Sequence, residues 1–196
     1  MSRTSTLAVI GAGPGGYTAA FLAADLGLAV TLIDESPQPG GVCLHRGCMP
    51  SKALLHLAKL LNDAREAESS GVEFGDPRVD IDGVRSWLRG IVGKLTGGLA
   101  QLSKQRSIRY VQGRATIVDP HTMRVATSAG NNEEVRVDHV ILATGSRPAW
   151  PAAFDLDSPR ILDSTAALEL ESVPKSLLVV GGGYIGLELG TVYAAL

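Results

Sequence analysis

Long apolar runs are missing from this chain. No stretch approaches the roughly 20 consecutive apolar residues that a helix needs to span a bilayer, so no transmembrane segment is read from the sequence. Residues Met1 to Thr6 have neither the basic start nor the apolar core of a signal peptide, and the expected location is the cytoplasm. An excess of one charge is lacking as well. The 18 Lys and Arg against 20 Asp and Glu leave a formal charge of −2, which gives no electrostatic case for nucleic acid or an anionic membrane surface. Arg85, Arg89, Lys94, Lys104, Arg106 and Arg109 gather in one stretch, but no aromatic residues interleave them, and a solvated helix face accounts for them. Cysteine is scarce, with only Cys43 and Cys48. A disulfide in a reducing compartment is usually catalytic or sensing.

What is present reads as globular. Hydrophobic residues make up 45% and charged residues 19% of 196 residues, enough for one substantial core, or one domain plus part of a second. The two cysteines lie five residues apart in Gly40-Gly41-Val42-Cys43-Leu44-His45-Arg46-Gly47-Cys48-Met49-Pro50-Ser51-Lys52. On an ideal helix such positions differ by about 140° and about 7.5 Å of rise, whereas a disulfide needs Cα atoms within about 7 Å. A redox pair on a helix therefore requires a distortion, which Gly47 can supply. A buried pair of apolar thiols or a partial metal site is the alternative. Zinc takes four ligands at shorter spacings, and His45 and His56 do not complete such a set, so no metal site is expected.

Leu7 to Ile10 is a short apolar run that breaks into Gly11-Ala12-Gly13-Pro14-Gly15-Gly16. A helical stretch follows from Tyr17 to about Leu26, with Gly27 as its stop and Ala29 to Ile33 as a second buried strand, a β-α-β unit that implies a parallel sheet. Leu54, Leu57, Ala58, Leu61 and Ala64 recur at helical spacing. So do Val84, Leu88, Ile91, Leu95, Leu99 and Leu102, with Asp82 as the expected N-cap. From Tyr110 to Val137 short alternating runs read as a β-meander, followed by a buried strand at His139 to Ala143. Prolines at 148, 151 and 159 mark a linker. A strand over Leu177 to Val180 then opens Gly181-Gly182-Gly183-Tyr184-Ile185-Gly186 and a helix.

Gly11-x-Gly13-x-x-Gly16 is a dinucleotide fingerprint. Its first glycine makes the tight turn, the second admits a pyrophosphate, and the third allows helix–strand packing, while the helix N-terminus offers N–H groups to phosphate. Asp34 stands eighteen residues past Gly16, near the spacing of a ribose-binding acid, with Glu35 as its competitor. Gly181-x-Gly183-x-x-Gly186 repeats the pattern, but its ribose partner would lie beyond Leu196, so NAD and NADP are not distinguished. Two nucleotide sites and a dithiol suggest an electron relay, with a flavin as middleman.

On these motifs the chain resembles the flavoprotein disulfide reductases, most of all the dihydrolipoamide dehydrogenases. Ala143-Thr144-Gly145-Ser146-Arg147-Pro148, Leu162-Asp163-Ser164-Thr165 and Gly181 to Glu188 complete five motifs in the family's order. The resemblance implies an α/β fold: a Rossmann-like FAD-binding domain with parallel sheet, helices and β-meander over residues 1–148, a linker over 149–175, and the first β-α of an NAD(P)-binding domain over 176–196.

The resemblance also implies roles. Gly11, Gly13, Pro14, Gly15, Gly16 and Asp34 or Glu35 would hold FAD, with Gly41, Val42, Lys52, Ala115, Thr144, Gly145 and Ser146 around it. Asp34 stands where many members carry Glu, a longer acid. Cys43 would be the thiol that attacks the dithiol substrate's sulfur, and Cys48 the one against the flavin. Lys52 would lie near the flavin and pair with Glu188. Gly181, Gly183, Tyr184, Ile185, Gly186 and Glu188 would receive NAD, with NADP not excluded, and Tyr184 matches an aromatic gate in some relatives.

The implied substrate is the lipoyl domain of a 2-oxo acid dehydrogenase complex or another disulfide, and the implied full-length parent is a homodimer. His45-Arg46 replaces Asn-Val of many lipoamide dehydrogenases, which keeps mercuric-ion and related disulfide reductases in view. The family's chains run to well over twice this length and use a His-x-x-x-x-Glu pair; none of His45, His56, His121 and His139 has Glu five residues later. A flavin-holding or redox-sensing module without turnover is thus the second reading. For residues 1–196 alone, no turnover and a tendency to aggregate are expected, and Leu177, Leu178, Val179, Val180, Ile185, Leu187 and Leu189 are expected to lack most of their packing partners.

Overall fold

The structure, a computed structural model, describes residues 3–196. The chain forms two compact units, residues 1–45 with 93–146 and residues 46–92 with 147–196.

The first unit is built on one five-stranded sheet: β1 (Arg3–Ile10), β2 (Val30–Asp34), β3 (Arg109–Asp119), β4 (Thr122–Thr127) and β5 (Asn132–Leu142). β1 lies parallel between β2 and β5, and β2 pairs parallel with β3. β3 and β5 then continue beyond the parallel layer and pair antiparallel with β4, so the ladder closes on itself. The expected meander is therefore present, and the strand read separately at His139 to Ala143 is the far half of β5. Alternation in β4 and β5 turns Met123, Val125, Val135 and Val137 inward, where they meet Ala8, Ile33 and Val111. Helix α1 (Pro14–Asp25) covers the other side through Ala20 and Ala23, against Leu7, Val9, Val30 and Leu32. Gly27 follows it at φ +88°, as a C′ glycine should. The helix α2 (Gly41–Arg46) also begins in this unit.

In the second unit α3 (Cys48–Glu66), α5 (Ser164–Leu168) and α6 (Tyr184–Ala195) enclose a core of Leu54, Ala58, Leu168, Leu170, Leu189, Val192 and Tyr193. Leu88 of α4 (Ile81–Gln105) joins that core. Leu189 is thus buried, contrary to the expectation that it would lack partners: it lies three and four residues before Val192 and Tyr193, on the inward stripe of α6. Leu178, Val180, Ile185 and Leu187 are exposed as expected. No ladder forms at residues 177–180, because a strand needs a neighbour and the only sheet among the described residues is β1–β5.

The cap of α4 is Asp80, not Asp82. Asp80 Oδ1 accepts from Gly83 N at 3.1 Å, while Asp82 sits inside the first turn and pairs with Arg85. The apolar stripe of α4 is only partly inside, with Leu95 and Leu102 exposed and Thr96 and Ser103 buried. Three of the six residues of the basic stretch form ion pairs: Arg106 with Asp25, Arg109 with Glu133, Arg85 with Asp82. Among the described residues, no helix is long and apolar enough to cross a membrane.

Candidate functional site: two glycine turns, a thiol helix and an ion pair

The first glycine turn links β1 to α1. Gly11 has φ +98°, which L side chains rarely adopt, and a Cβ there would meet Ala143 O at 2.1 Å. A Cβ on Gly16 would meet Gly11 O at 1.7 Å, so strand and helix touch through the missing side chain. Gly15, by contrast, has nothing within 4 Å, and Gly13 meets only Gly41 Cα at 3.8 Å. The outer side of the helix N-terminus is therefore open while the inner side is closed, the cradle that a pyrophosphate needs. Pro14 at the first helical position costs no hydrogen bond, since that N–H has no partner within the helix.

The surrounding segments are tied to this turn. Gly40 N donates to Ala12 O at 2.8 Å, and a Cβ on Gly41 would meet Gly13 Cα at 2.5 Å, so α2 starts against the turn. Val42 follows, exposed. Ala143 N donates to Ile10 O at 2.8 Å, which brings the backbone of Thr144 against Gly11, followed by Gly145 at φ +69° and exposed Ser146. Asp34, at the end of β2, accepts from Ala12 N at 2.7 Å through Oδ2 and from Ser36 N at 2.8 Å through Oδ1. Tyr110 donates to Ser36 O at 2.8 Å, and burial, then the Asp34 carboxylate, hold its hydroxyl well above the usual tyrosine range. Glu35 reaches outward instead, 3.6 Å from Arg114, the residue before Ala115. Ala115 itself pairs with Val125 in the β3–β4 ladder.

The second turn repeats the geometry of the first. Gly181 has φ +105°, a Cβ on Gly186 would meet Gly181 O at 2.4 Å, and Gly182 and Gly183 have nothing within 4 Å. The N-caps match as well, Gly13 at φ −73°, ψ −176° and Gly183 at φ −74°, ψ 169°. Tyr184 and Ile185 open α6 with exposed side chains. Residues of both turns thus fit a dinucleotide.

Cys43 lies in α2 and Cys48 opens α3, and Gly47 at φ −150°, ψ −118° breaks the helix between them. The helix is therefore interrupted at Gly47, the residue expected to permit a distortion. Both cysteines are thiols here, Cys43 half-buried and Cys48 exposed. His45 Nε2 donates to Gln38 O at 3.2 Å, and Arg46 is exposed. Burial, and then negative charge on the Cys43 sulfur, push the Tyr17 hydroxyl upward. In the second unit Lys52 Nζ sits 2.5 Å from Glu188 Oε1. Hydrogen bonding to Glu188 raises the Lys52 ammonium, and the same bond lowers the Glu188 carboxyl.

Sequence reasoning gave no role to Ser51. Its Oγ lies 3.0 Å from Cys48 O and 3.1 Å from Glu188 Oε2, so one hydroxyl links the first turn of the thiol-bearing helix to the ion pair. The only signal was its place three residues after Cys48, one helical turn on. Asp163, quoted within a motif without a role, caps α5 by accepting from Ala166 N at 2.8 Å. Among the described residues no group of His, Cys, Asp and Glu is arranged to hold a metal.

Comparisons with known proteins follow the same motifs. The family described as pyridine nucleotide-disulphide oxidoreductase matches residues 5–196. A dihydrolipoyl dehydrogenase of Haemophilus influenzae is 50% identical over 188 residues, 96% of this chain and 39% of its own. A dihydrolipoyl dehydrogenase 2 of Haloarcula marismortui is 50% identical over 192 residues, 97% of this chain and 40% of its own. The solved HOCl-induced flavoprotein disulfide reductase RclA from Escherichia coli superposes with TM-score 0.79 at 26% identity, over 97% of this chain and 40% of that one. The chain therefore spans about two-fifths of the length of the relatives it matches. With the family matched across nearly the whole sequence and the glycine turns built as its chemistry requires, the chain belongs to the pyridine nucleotide-disulphide oxidoreductase family.

Proposed function

We propose that this chain supplies the flavin-holding and thiol-bearing part of an FAD-dependent disulfide oxidoreductase that oxidises protein-bound dihydrolipoamide with NAD as acceptor. The observation that carries the reading is the repeated turn: two glycine turns of one geometry, open on the phosphate side, in a chain with a Cys-x4-Cys pair. The names of relatives at about 50% identity support the lipoyl substrate.

The chain's own groups divide the work. The N–H groups at the start of α1 hold the diphosphate, and those of α6 hold that of the nicotinamide cofactor. A bound flavin would supply hydride acceptance, which no side chain offers, and would take electrons from the reduced thiol pair. In the oxidised protein Cys43 and Cys48 share a disulfide. A substrate thiolate attacks Cys43 Sγ, breaking that bond and releasing Cys48 as thiolate. The second substrate thiolate then attacks the mixed disulfide and releases Cys43. Two electrons pass to the protein thiols, and the substrate leaves as its disulfide. The Lys52–Glu188 pair keeps a positive charge beside the first turn of α3, where Cys48 becomes anionic. The partner is a lipoyl domain in the cytoplasm, and the complete protein is a homodimer.

The test is flavin content and turnover of the complete protein. FAD bound near one per chain, with dihydrolipoamide-dependent NAD reduction, is expected. Absence of flavin contradicts the reading; flavin with turnover only on another disulfide replaces the substrate.

A further inference from the structure

Ser51 is buried in the first turn of α3, three residues after Cys48. A serine in a helix commonly turns its hydroxyl back on a carbonyl three or four residues before it, and Ser51 Oγ does lie 3.0 Å from Cys48 O. It also lies 3.1 Å from Glu188 Oε2, on α6. A hydroxyl has one proton to give. A bond to a carboxylate is about twice as strong as one to a neutral carbonyl, so the proton goes to Glu188.

Glu188 is then held at both oxygens, by Lys52 Nζ at 2.5 Å on Oε1 and by Ser51 on Oε2. The terminal torsion of a glutamate is soft, and two donors on separate oxygens fix its plane. Both bonds lower the Glu188 carboxyl, that of Lys52 most. Lys52 needs such a fixed partner. Its side chain is 54% exposed, on a flexible stem, one helical turn after Cys48. The Glu188 bond raises its ammonium most, and negative charge on the Cys48 sulfur raises it further.

We infer that Ser51 is a positioning residue for the redox pair: by pinning the second oxygen of Glu188 it fixes the Lys52 ammonium beside Cys48, and so favours the reduced, thiolate form of the Cys43–Cys48 pair. This rests on the disulfide chemistry proposed above. The action of Ser51 runs through Glu188 and Lys52.

The reduction potential of the pair tests it. The complete, flavin-loaded protein is equilibrated with dithiothreitol buffers of graded potential, and its free thiols are counted by mass after alkylation. Removing a stabiliser of the thiolate makes a disulfide harder to reduce. Ser51→Ala should therefore shift the equilibrium about threefold to tenfold toward the disulfide, part of the worth of one hydrogen bond to a charged group, which is about 15–30 mV for a two-electron couple. Ser51→Thr, which keeps the hydroxyl, should keep the wild-type potential. In a Lys52→Met background Ser51→Ala should shift nothing, because the charge it positions is gone. A Ser51→Ala protein with the wild-type potential overturns the inference, even if it melts lower, since bracing the helix then accounts for the hydroxyl. An equal shift with and without Lys52 overturns it too. A wild type in which Cys43 and Cys48 form no disulfide overturns the chemistry beneath the inference, a different result.

Discussion

Glu188 holds Lys52 at 2.5 Å across 136 residues of sequence, and its second oxygen lies 3.1 Å from the Ser51 hydroxyl. The ion pair binds α6 to the first turns of α3. Its pH dependence follows from the two shifts. The Glu188 carboxyl is lowered, so its contribution is present above the ordinary glutamate value of about 4.3 and is lost as pH falls through the folded value. The Lys52 ammonium is raised, so its contribution is present below about 10.4 and is lost as pH rises through the folded value. The melting temperatures of wild type and Glu188→Gln should therefore differ by a constant small amount across neutral pH and converge in acid below about 4. A difference that grows on acidification would contradict the pairing.

The glycines of the first turn separate into two kinds, and substitution should expose the division. Gly16→Ala drives a methyl into the Gly11 carbonyl, 1.7 Å from where its Cβ would sit, and should destabilise by about 1–3 kcal/mol or more. Gly15→Ala meets nothing within 4 Å and improves helix propensity, so it should melt at or above the wild-type temperature. Its methyl stands on the phosphate side, however, and FAD affinity should fall about tenfold as one N–H contact is lost. Thermal melting and flavin titration of the two variants check both halves.

Ser51 is buried and makes its contacts through one hydroxyl. Ser51→Ala should cost about 1 kcal/mol, the net worth of a typical hydrogen bond, while Ser51→Thr retains the group. Denaturant midpoints would show it: equal loss in both variants would mean that space, not the hydroxyl, matters at this position.

Much of the site was legible because its demands are local. The first and third glycines of each fingerprint are fixed by chain geometry within six residues, and the helix break at Gly47 follows from the Cys43–Cys48 spacing. What depended on distant partners was harder to read. Nothing in Gln112 or Val137 announces that β3 and β5 pass from a parallel layer into an antiparallel one, since that is decided by which strands lie alongside. The choice of Asp80 over Asp82 turns on where the backbone first becomes helical, and the two acids look alike in sequence. Leu189 and Leu187 are both apolar on one helix, and only the position of α3 and α5 decides which is inside.

The central claim is that Cys43 and Cys48 exchange electrons with a dithiol beside a flavin. Addition of one equivalent of dihydrolipoamide to the complete protein, followed by visible absorption, tests it most directly. A long-wavelength band of the kind a thiolate gives against oxidised flavin should appear in the wild type and be absent in Cys48→Ser. A band that persists in Cys48→Ser, or a wild type that shows none while holding flavin, would contradict the account.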